Sequence, residues 1–507
     1  MAFEPVFDSL GINVRRGKVT DRIKAECRTD IPADGIKRII NVSSFAAILH
    51  TEAAEGKIEY GGRIAFFISY EAAGGQIKKC ECGAEFTGAA ASEAITPGCF
   101  SFASVKTERE EADLSGVKLT VSAAAEVTLE LYECVKLPAL TGGEELILKT
   151  EDLAYERGSG LKEGGYIVEE RFTAEIRVEE VLAQRAHAAV TSVQCGVGVI
   201  IAEGEVYFSA ILLQSGDKKD IIRENRTIPF RAEIECEAAM PVFTAQARVS
   251  VKSLKTDIRV DEEKGISEVT AQAALVLLGE AFSEESAAVA ADAFSTAENL
   301  NLVRESAVCV KELPPLSSEA RVSGRAEIEE IPVGAGLGAV CRENAELAEV
   351  TYRDGTFRAS GAITFAMIFT DAEGGVFSKK AEIPFETEFS QNLPDGAEYE
   401  VCVTAERGRA KLLSLTEAEA EFDLVFTVFP RVSREITVIK EISSEGEKPV
   451  SDYAISVYIP VKGEELWDTA KRLNVAPEKL AETNRDLIFP LSGEERIVVY
   501  REKAKTN

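Results

Sequence analysis

The sequence predicts a mainly β protein: three tandem β-rich, sandwich-like domains followed by a small βααβ domain. Three observations lead there. A leading glycine, an apolar run, a polar turn and a closing phenylalanine recur three times in the 507 residues. Each occurrence is followed by segments of alternating apolar and polar residues, the mark of a strand with one buried face. The last fifty residues replace alternation with apolar residues at helical spacing.

The first occurrence runs GRIAFFISY from Gly62, turns through Gly74 and Gly75, and closes at Phe86. The second starts at Gly204, turns through SGDKK and closes at Phe230 in TIPF; the third starts at Gly361, turns at EGG and closes at Phe385 in EIPF. Glycine and phenylalanine are 24 residues apart in the first and third and 26 in the second. The glycines follow one another at 142 and 157 residues, a period that suits whole domains and exceeds any solenoid unit. After each phenylalanine come an alternating segment (from Phe100, Ala245 and Tyr399) and a longer aliphatic one (from Val117, Val269 and Ala420). The domains are therefore drawn at 1–150, 151–315 and 316–445, with a linker and tail domain at 446–507. Proline in CVKLP from Cys134 and CVKELPP from Cys309 favours extended connections at the first two seams. SSEGEKP from Ser443 reads as a flexible linker, and the alanine-rich EESAAVAADA from Glu284 as a short helix.

In the tail, residues 457–461 and 497–500 are expected as two strands. Between them Leu466, Ala470 and Leu473 fall at i, i+4 and i+7 and share one face of a first helix. Pro477 and Glu478 suit the first turn of a second helix, Leu480 packs inward, and Asn484 can satisfy carbonyls at its end. Trp467, the only tryptophan, reads either as core or as an aromatic anchor for a partner.

Composition narrows the function. A formal charge of −29 argues against nucleic acid or an acidic membrane surface as direct partner. From Asp452 onward nine basic residues face ten acidic ones, so the acidity belongs to the body. No apolar run reaches the ~20 residues of a membrane-spanning helix, and the MAFEPVFDSLG start lacks the features of a signal peptide, so a cytosolic address is expected. Ten dispersed cysteines then read as small buried hydrophobes, and the Cys80-Glu-Cys82 pair lacks a second pair at zinc-ligand spacing. Two histidines, His50 and His187, leave little room for acid–base chemistry, and His187 is expected as a packed or edge residue on a strand. Gly334-Ala-Gly336-Leu-Gly338 lacks the spacing and setting of a nucleotide loop, and the acidic cluster from Glu108 to Asp113 reads as a solvated loop. No cofactor, metal or catalytic residue is expected.

On these residues the chain resembles a known architecture. The tail, from IPVKGEELWDTAKRLNV through APEKLAETN to GEERIVVY, resembles a LysM domain. The body, with its glycine-led strands, acidic or glycine-rich turns, IPF stops and DAFST from Asp292, resembles tandem SPOCS domains of the spore coat assembly family of Firmicutes; the first repeat departs, with AEF in place of IPF. The resemblance implies a non-enzymatic scaffold in spore coat assembly, in the mother cell at the forespore surface, with a protein partner in the coat's basement layer. It also implies a binding groove formed by Gly463, Glu464, Glu465 and Leu466, with Trp467 beside them, and by Arg485, Asp486, Leu487 and Ile488. The alternative ligand is wall glycan containing N-acetylglucosamine. The family's G-D-T stands here as Gly463-Glu464-Glu465, which exchanges a hydroxyl for a carboxylate that only accepts hydrogen bonds and so favours a protein over glycan.

Overall fold

A computed structural model describes residues 4–216, 220–449 and 455–500. It is mainly β, with several separate sheets and strands that pair antiparallel throughout the described residues. The strands fall into three sets. The first comprises β1 (Glu4–Pro32), β2 (Ile36–Ala54), β3 (Lys57–Ala72), β4 (Ile77–Ala91), β5 (Cys99–Asp113) and β6 (Lys118–Glu144). The second comprises β7 (Ile147–Gly158), β8 (Lys162–Ala174), β9 (Val178–Cys195), β10 (Val199–Gln214), β11 (Ile221–Glu235), β12 (Thr244–Asp261) and β13 (Ile266–Phe294). The third comprises β14 (Glu298–Glu312), β15 (Leu316–Glu327), β16 (Gly336–Arg353), β17 (Thr356–Thr370), β18 (Val376–Ser390), β19 (Glu398–Leu412) and β20 (Glu417–Glu447).

Each set has one pairing scheme. A three-stranded meander (β2-β3-β4, β9-β10-β11, β16-β17-β18) packs against a long strand flanked on both sides: β6 by β1 and β5, β13 by β12 and by β7 with β8, β20 by β19 and by β14 with β15. In the first set β1 runs unbroken along β6, with a bulge at Gly17. Its counterparts are interrupted, at Gly160 between β7 and β8 and at Pro314-Pro315 between β14 and β15, where proline has no N–H to give the ladder. The seam drawn at 315 thus falls between two strands that both pair with β20.

The recurring glycines and phenylalanines are cross-strand partners: Gly62 faces Phe86, Gly204 faces Phe230 and Gly361 faces Phe385. On the other side of each glycine the neighbouring strand shifts register, as at a β-bulge, and pushes a carbonyl inward. A Cβ at these glycines would meet the phenylalanine ring at 2.4, 2.6 and 2.9 Å respectively. The rings therefore lie over bare backbone, and the motif is a packing device common to the three sets.

Side chains also close the sets on one another. Ser69 Oγ donates to the Leu182 carbonyl at 2.6 Å, Arg223 to that of Val340 at 2.9 Å, and Ser378 Oγ to that of Ile40 at 2.6 Å, which links first to second, second to third and third to first. Two apolar clusters draw on all three sets. One includes Leu10, Leu137, Leu153, Val289, Cys309 and Ile436; the other includes Ile40, Leu182, Ile211, Cys341 and Ile368.

Four expectations are corrected. Residues 284–293 lie within β13, where pairing with β7 overrides the helix propensity of alanine. Ser443 to Glu447 extend β20 and pair with β14, so the linker is shorter than expected. Glu108 to Asp113 belong to β5, not to a loop, and Glu110 is paired with Arg342 at 2.5 Å. Four of the ten cysteines are buried and four half-buried, but Cys134 and Cys402 are exposed, which departs from the buried reading.

Several carboxyls are buried, among them those of Glu130, Glu280, Glu343 and Glu406. Glu280 is fully buried, and that burial, opposed by the Gly160 N–H and reinforced by Glu312 and Glu156, pushes its carboxyl up to about 8. A raised carboxyl binds its proton more tightly in the native state, so stability present at low pH is lost as pH rises from the unfolded value near 4.5 through about 8. Glu280→Gln, which keeps the acceptor for Gly160, is expected to match the parent at pH 5 and to exceed it at pH 9 by on the order of 2–4 kcal/mol. Denaturant midpoints at the two pH values measure this.

Candidate functional site

The tail comprises β21 (Ile455–Tyr458), α1 (Leu466–Leu473), α2 (Pro477–Thr483) and β22 (Ile497–Tyr500), with β21 and β22 antiparallel. β21 covers only the first part of the expected 457–461 strand, and residues 459–461 are not strand. Ala470, Leu473, Leu480 and Ile497 form its core, and Leu466 packs partly against them. Pro477 opens α2, where its missing N–H costs nothing. The Asn484 amide donates to the carbonyls of Leu480 (2.9 Å) and Val498 (2.8 Å) and accepts from the Val498 N–H (2.8 Å), so it joins α2 to β22.

The two loops expected to form a groove are connected through backbone. Gly463 N–H donates to the Leu491 carbonyl at 2.7 Å and Leu491 N–H returns to Glu464 at 2.9 Å. Gly463 has φ +90°, which glycine adopts without strain. Glu464 does not face a ligand: it is buried, accepts from the Tyr458 hydroxyl at 2.9 Å, and is paired with Arg472. Glu465 is exposed ahead of α1, and its carbonyl accepts from Thr469. Arg485 and Asp486 are exposed, Leu487 is half-buried against the tail core, and Ile488 is 82% exposed. The outer residues of β21 and the segment after it, Ile455, Val457, Ile459 and Val461, are exposed as well.

Trp467 faces the body. Its indole N–H donates to Asp292 at 2.8 Å and its ring meets Phe294 edge-on at 5.2 Å. Lys471 reaches both oxygens of Asp292 at 2.7 Å. Asn474, in the left-handed conformation at the end of α1, donates to the Thr296 carbonyl at 2.6 Å and accepts from Lys448 at 2.8 Å. The DAFST segment is thus the seat of the tail, formed by the end of β13 and the residues that follow it. Sequence reasoning singled out this segment and Trp467 separately, but a contact across 175 positions leaves no local signal that joins them.

Burial opposes ionisation of Asp292, yet the hydrogen bonds from Lys471 and Trp467 hold its carboxyl below the ordinary value. A depressed carboxyl gives stability that is present above the unfolded value and lost as pH falls through the folded one. Because Trp467 is the only tryptophan, its emission reports docking directly. Asp292→Ala is expected to shift that emission to the red and to increase acrylamide quenching severalfold; unchanged emission would contradict the contact. Acidification below the ordinary aspartate range is expected to do the same to the parent.

The remaining sequence candidates have structural roles. His187 lies on β9 with its ring stacked on Tyr207 at 6.4 Å, and burial followed by Arg185 pushes its imidazole down to about 3. Gly338 gives space to Ile221, whose side chain would lie 2.6 Å from a Cβ there. Among the described residues no group of three or more His, Cys, Asp or Glu side chains is placed to hold a metal ion, and no helix is long and apolar enough to cross a membrane. Comparisons with protein-family models, curated proteins and solved structures return no match for the chain.

Proposed function

We propose that the chain is a non-enzymatic recognition scaffold of spore coat assembly, in which three tandem sandwich-like domains carry a LysM-like domain that docks a protein partner. The observation that carries this reading is Ile488, 82% exposed on the loop after α2 and flanked by the exposed Arg485 and Asp486. With the exposed Ile455, Val457, Ile459 and Val461 it gives the tail five large aliphatic residues outside any core, the composition from which a protein-docking surface is made. The partner is a protein of the coat's basement layer, and the place of action is the forespore surface in the mother-cell cytoplasm. Since Trp467 is engaged with Asp292, partner binding uses the exposed residues of the Arg485–Ile488 loop with Glu465.

Wall glycan is the second reading, favoured by the backbone connection between the two loops, which leaves them together at one end of the tail. Co-sedimentation with purified peptidoglycan separates the two. The protein-docking reading expects no saturable sedimentation of the full chain. Saturable sedimentation that is lost in Leu487→Ala would overturn it in favour of glycan.

A further inference from the structure

Three thiols of the first strand set meet across its two sheets. Cys27 is on β1 and Cys80 and Cys82 are on β4; all three are half-buried and pack against the same apolar cluster. Around them covered and exposed residues alternate in both strands, which puts the three thiols on the inner faces. No backbone ladder joins β1 to β4: β4 pairs with β3, and around Cys27 β1 pairs with β6.

The relative position of the two strands is fixed by contacts elsewhere along them. Tyr60 of β3 lies opposite Gly88 of β4, and its ring covers that glycine so closely that a Cβ there would meet the hydroxyl oxygen at 2.2 Å. The same hydroxyl donates to Asp21 of β1 at 2.5 Å, so Gly88 and Asp21 are neighbours. Asp30, further along β1, acts on Cys80, further back along β4, so the two strands run antiparallel. Six residues from the first contact in each strand stand Cys27 and Cys82.

The second set repeats this arrangement with other side chains. Arg226 precedes Phe230 by four residues, as Cys82 precedes Phe86, and its guanidinium lies over the Phe172 ring of β8 at 4.4 Å. Side chains at this place therefore touch across the sheets, and in the first set both are thiols. Burial first, then the thiols of Cys27 and Cys80, push the Cys82 thiol up, as expected of a thiol held beside two others.

We propose that Cys27 and Cys82 form a reversible disulfide that staples the two sheets of the first set, with a small-molecule disulfide as oxidant. The Cys27 thiolate attacks one sulfur of the small disulfide, forms a mixed disulfide and releases a small thiolate. The Cys82 thiolate then attacks the Cys27 sulfur, closes the Cys27–Cys82 bond and releases the second small thiolate. Two cysteines are oxidised, the small disulfide is reduced to two thiols, and the cysteine protons pass through water to the released sulfurs. In a reducing compartment the pair stays as thiols; it closes when the chain meets an oxidising one. The site is independent of the tail and of the reading of the tail's partner.

Peptide mapping of the full chain after incubation with oxidised glutathione, with the remaining thiols trapped by N-ethylmaleimide, tests it. The Cys27–Cys82 cross-link is expected to be roughly tenfold more abundant than any other cysteine pair, because adjacent thiols act on each other at high effective concentration. Closure should raise the melting temperature by about 2–6 °C, the scale of a disulfide that closes a long loop, and dithiothreitol should reverse the gain. Cys27→Ser and Cys82→Ser should lose both cross-link and gain, whereas Cys80→Ser should keep both. Cys82→Ala replaces Cys82→Ser if the latter fails to fold. Mixed disulfides with glutathione alone, a dominant pair other than Cys27–Cys82, a cross-link without thermal gain, or a gain that survives loss of the Cys82 thiol would overturn the proposal.

Discussion

Arg248→Leu is expected to destabilise the chain by about 3–5 kcal/mol, the range found when one partner of a buried ion pair is removed. Arg248 donates to both carboxylate oxygens of Glu130, at 2.8 and 2.7 Å, and Glu130 is completely buried. The guanidinium also lies over the rings of Phe102 (5.2 Å) and Phe429 (4.6 Å), so one side chain from the second strand set bridges the first and third. Burial would raise the Glu130 carboxyl, but it is held down to about 2 by Glu400 and Arg248, while Glu400, buried beside it, is raised. Of the two acids Glu130 is the one held ionised, with its charge facing Arg248. Without the guanidinium that charge loses both of its charge-assisted hydrogen bonds in a low-dielectric setting. Glu130→Leu combined with Arg248→Leu removes both charges and is expected to recover most of the loss, since apolar replacement of a whole buried pair is often neutral. Urea midpoints of the parent, the single and the double variant test this; a single variant within about 1 kcal/mol of the parent would show that the sets are not joined here.

Gly361→Ala is the second large effect, expected at about 3 kcal/mol, the upper end for overpacking. The added Cβ would lie 1.9 Å from the Glu346 carbonyl oxygen and 2.9 Å from the Phe385 ring. The ring can turn, but the carbonyl belongs to β16 and moves only with its strand. Gly204 and Gly62 meet the corresponding carbonyls of Ala189 and Ala47 at 2.1 and 2.4 Å, so the same substitution there should cost as much or somewhat less. Gly336→Ala is the control, because nothing lies within 4 Å of its Cβ position. Equal stability of Gly361→Ala and Gly336→Ala would contradict the packing described for the motif.

The sequence displayed the parts of the fold that depend on local pattern. Gly62 and Phe86 are 24 residues apart because a hairpin places them opposite each other, and in the second set the turn is two residues longer. Leu466, Ala470, Leu473, Pro477 and Leu480 set out the tail helices by spacing and by the chemistry of proline. Parts that depend on distant pairing were hidden. Residues 284–293 have the composition of a helix and become strand because β7 pairs along them. Residues 298–312 precede a proline pair and read as the end of one domain, yet they pair with β20, more than a hundred residues later. At the candidate site, the loops around Gly463 and Ile488 were legible, but Glu464, read as facing a ligand, is turned inward by Tyr458 and Arg472. The seat of Trp467 on Asp292 and Phe294 was not legible either, because neither end of a long-range contact changes the pattern around the other.

The central claim, that the exposed loop after α2 docks a protein at the forespore surface, is tested most directly by localisation of a fluorescent fusion in sporulating cells. The full chain is expected to gather at the forespore surface, and Ile488→Asp is expected to disperse through the mother cell while its Trp467 emission stays unchanged. Retention of the Ile488→Asp chain at the forespore, or dispersal of the unaltered chain, would contradict the account.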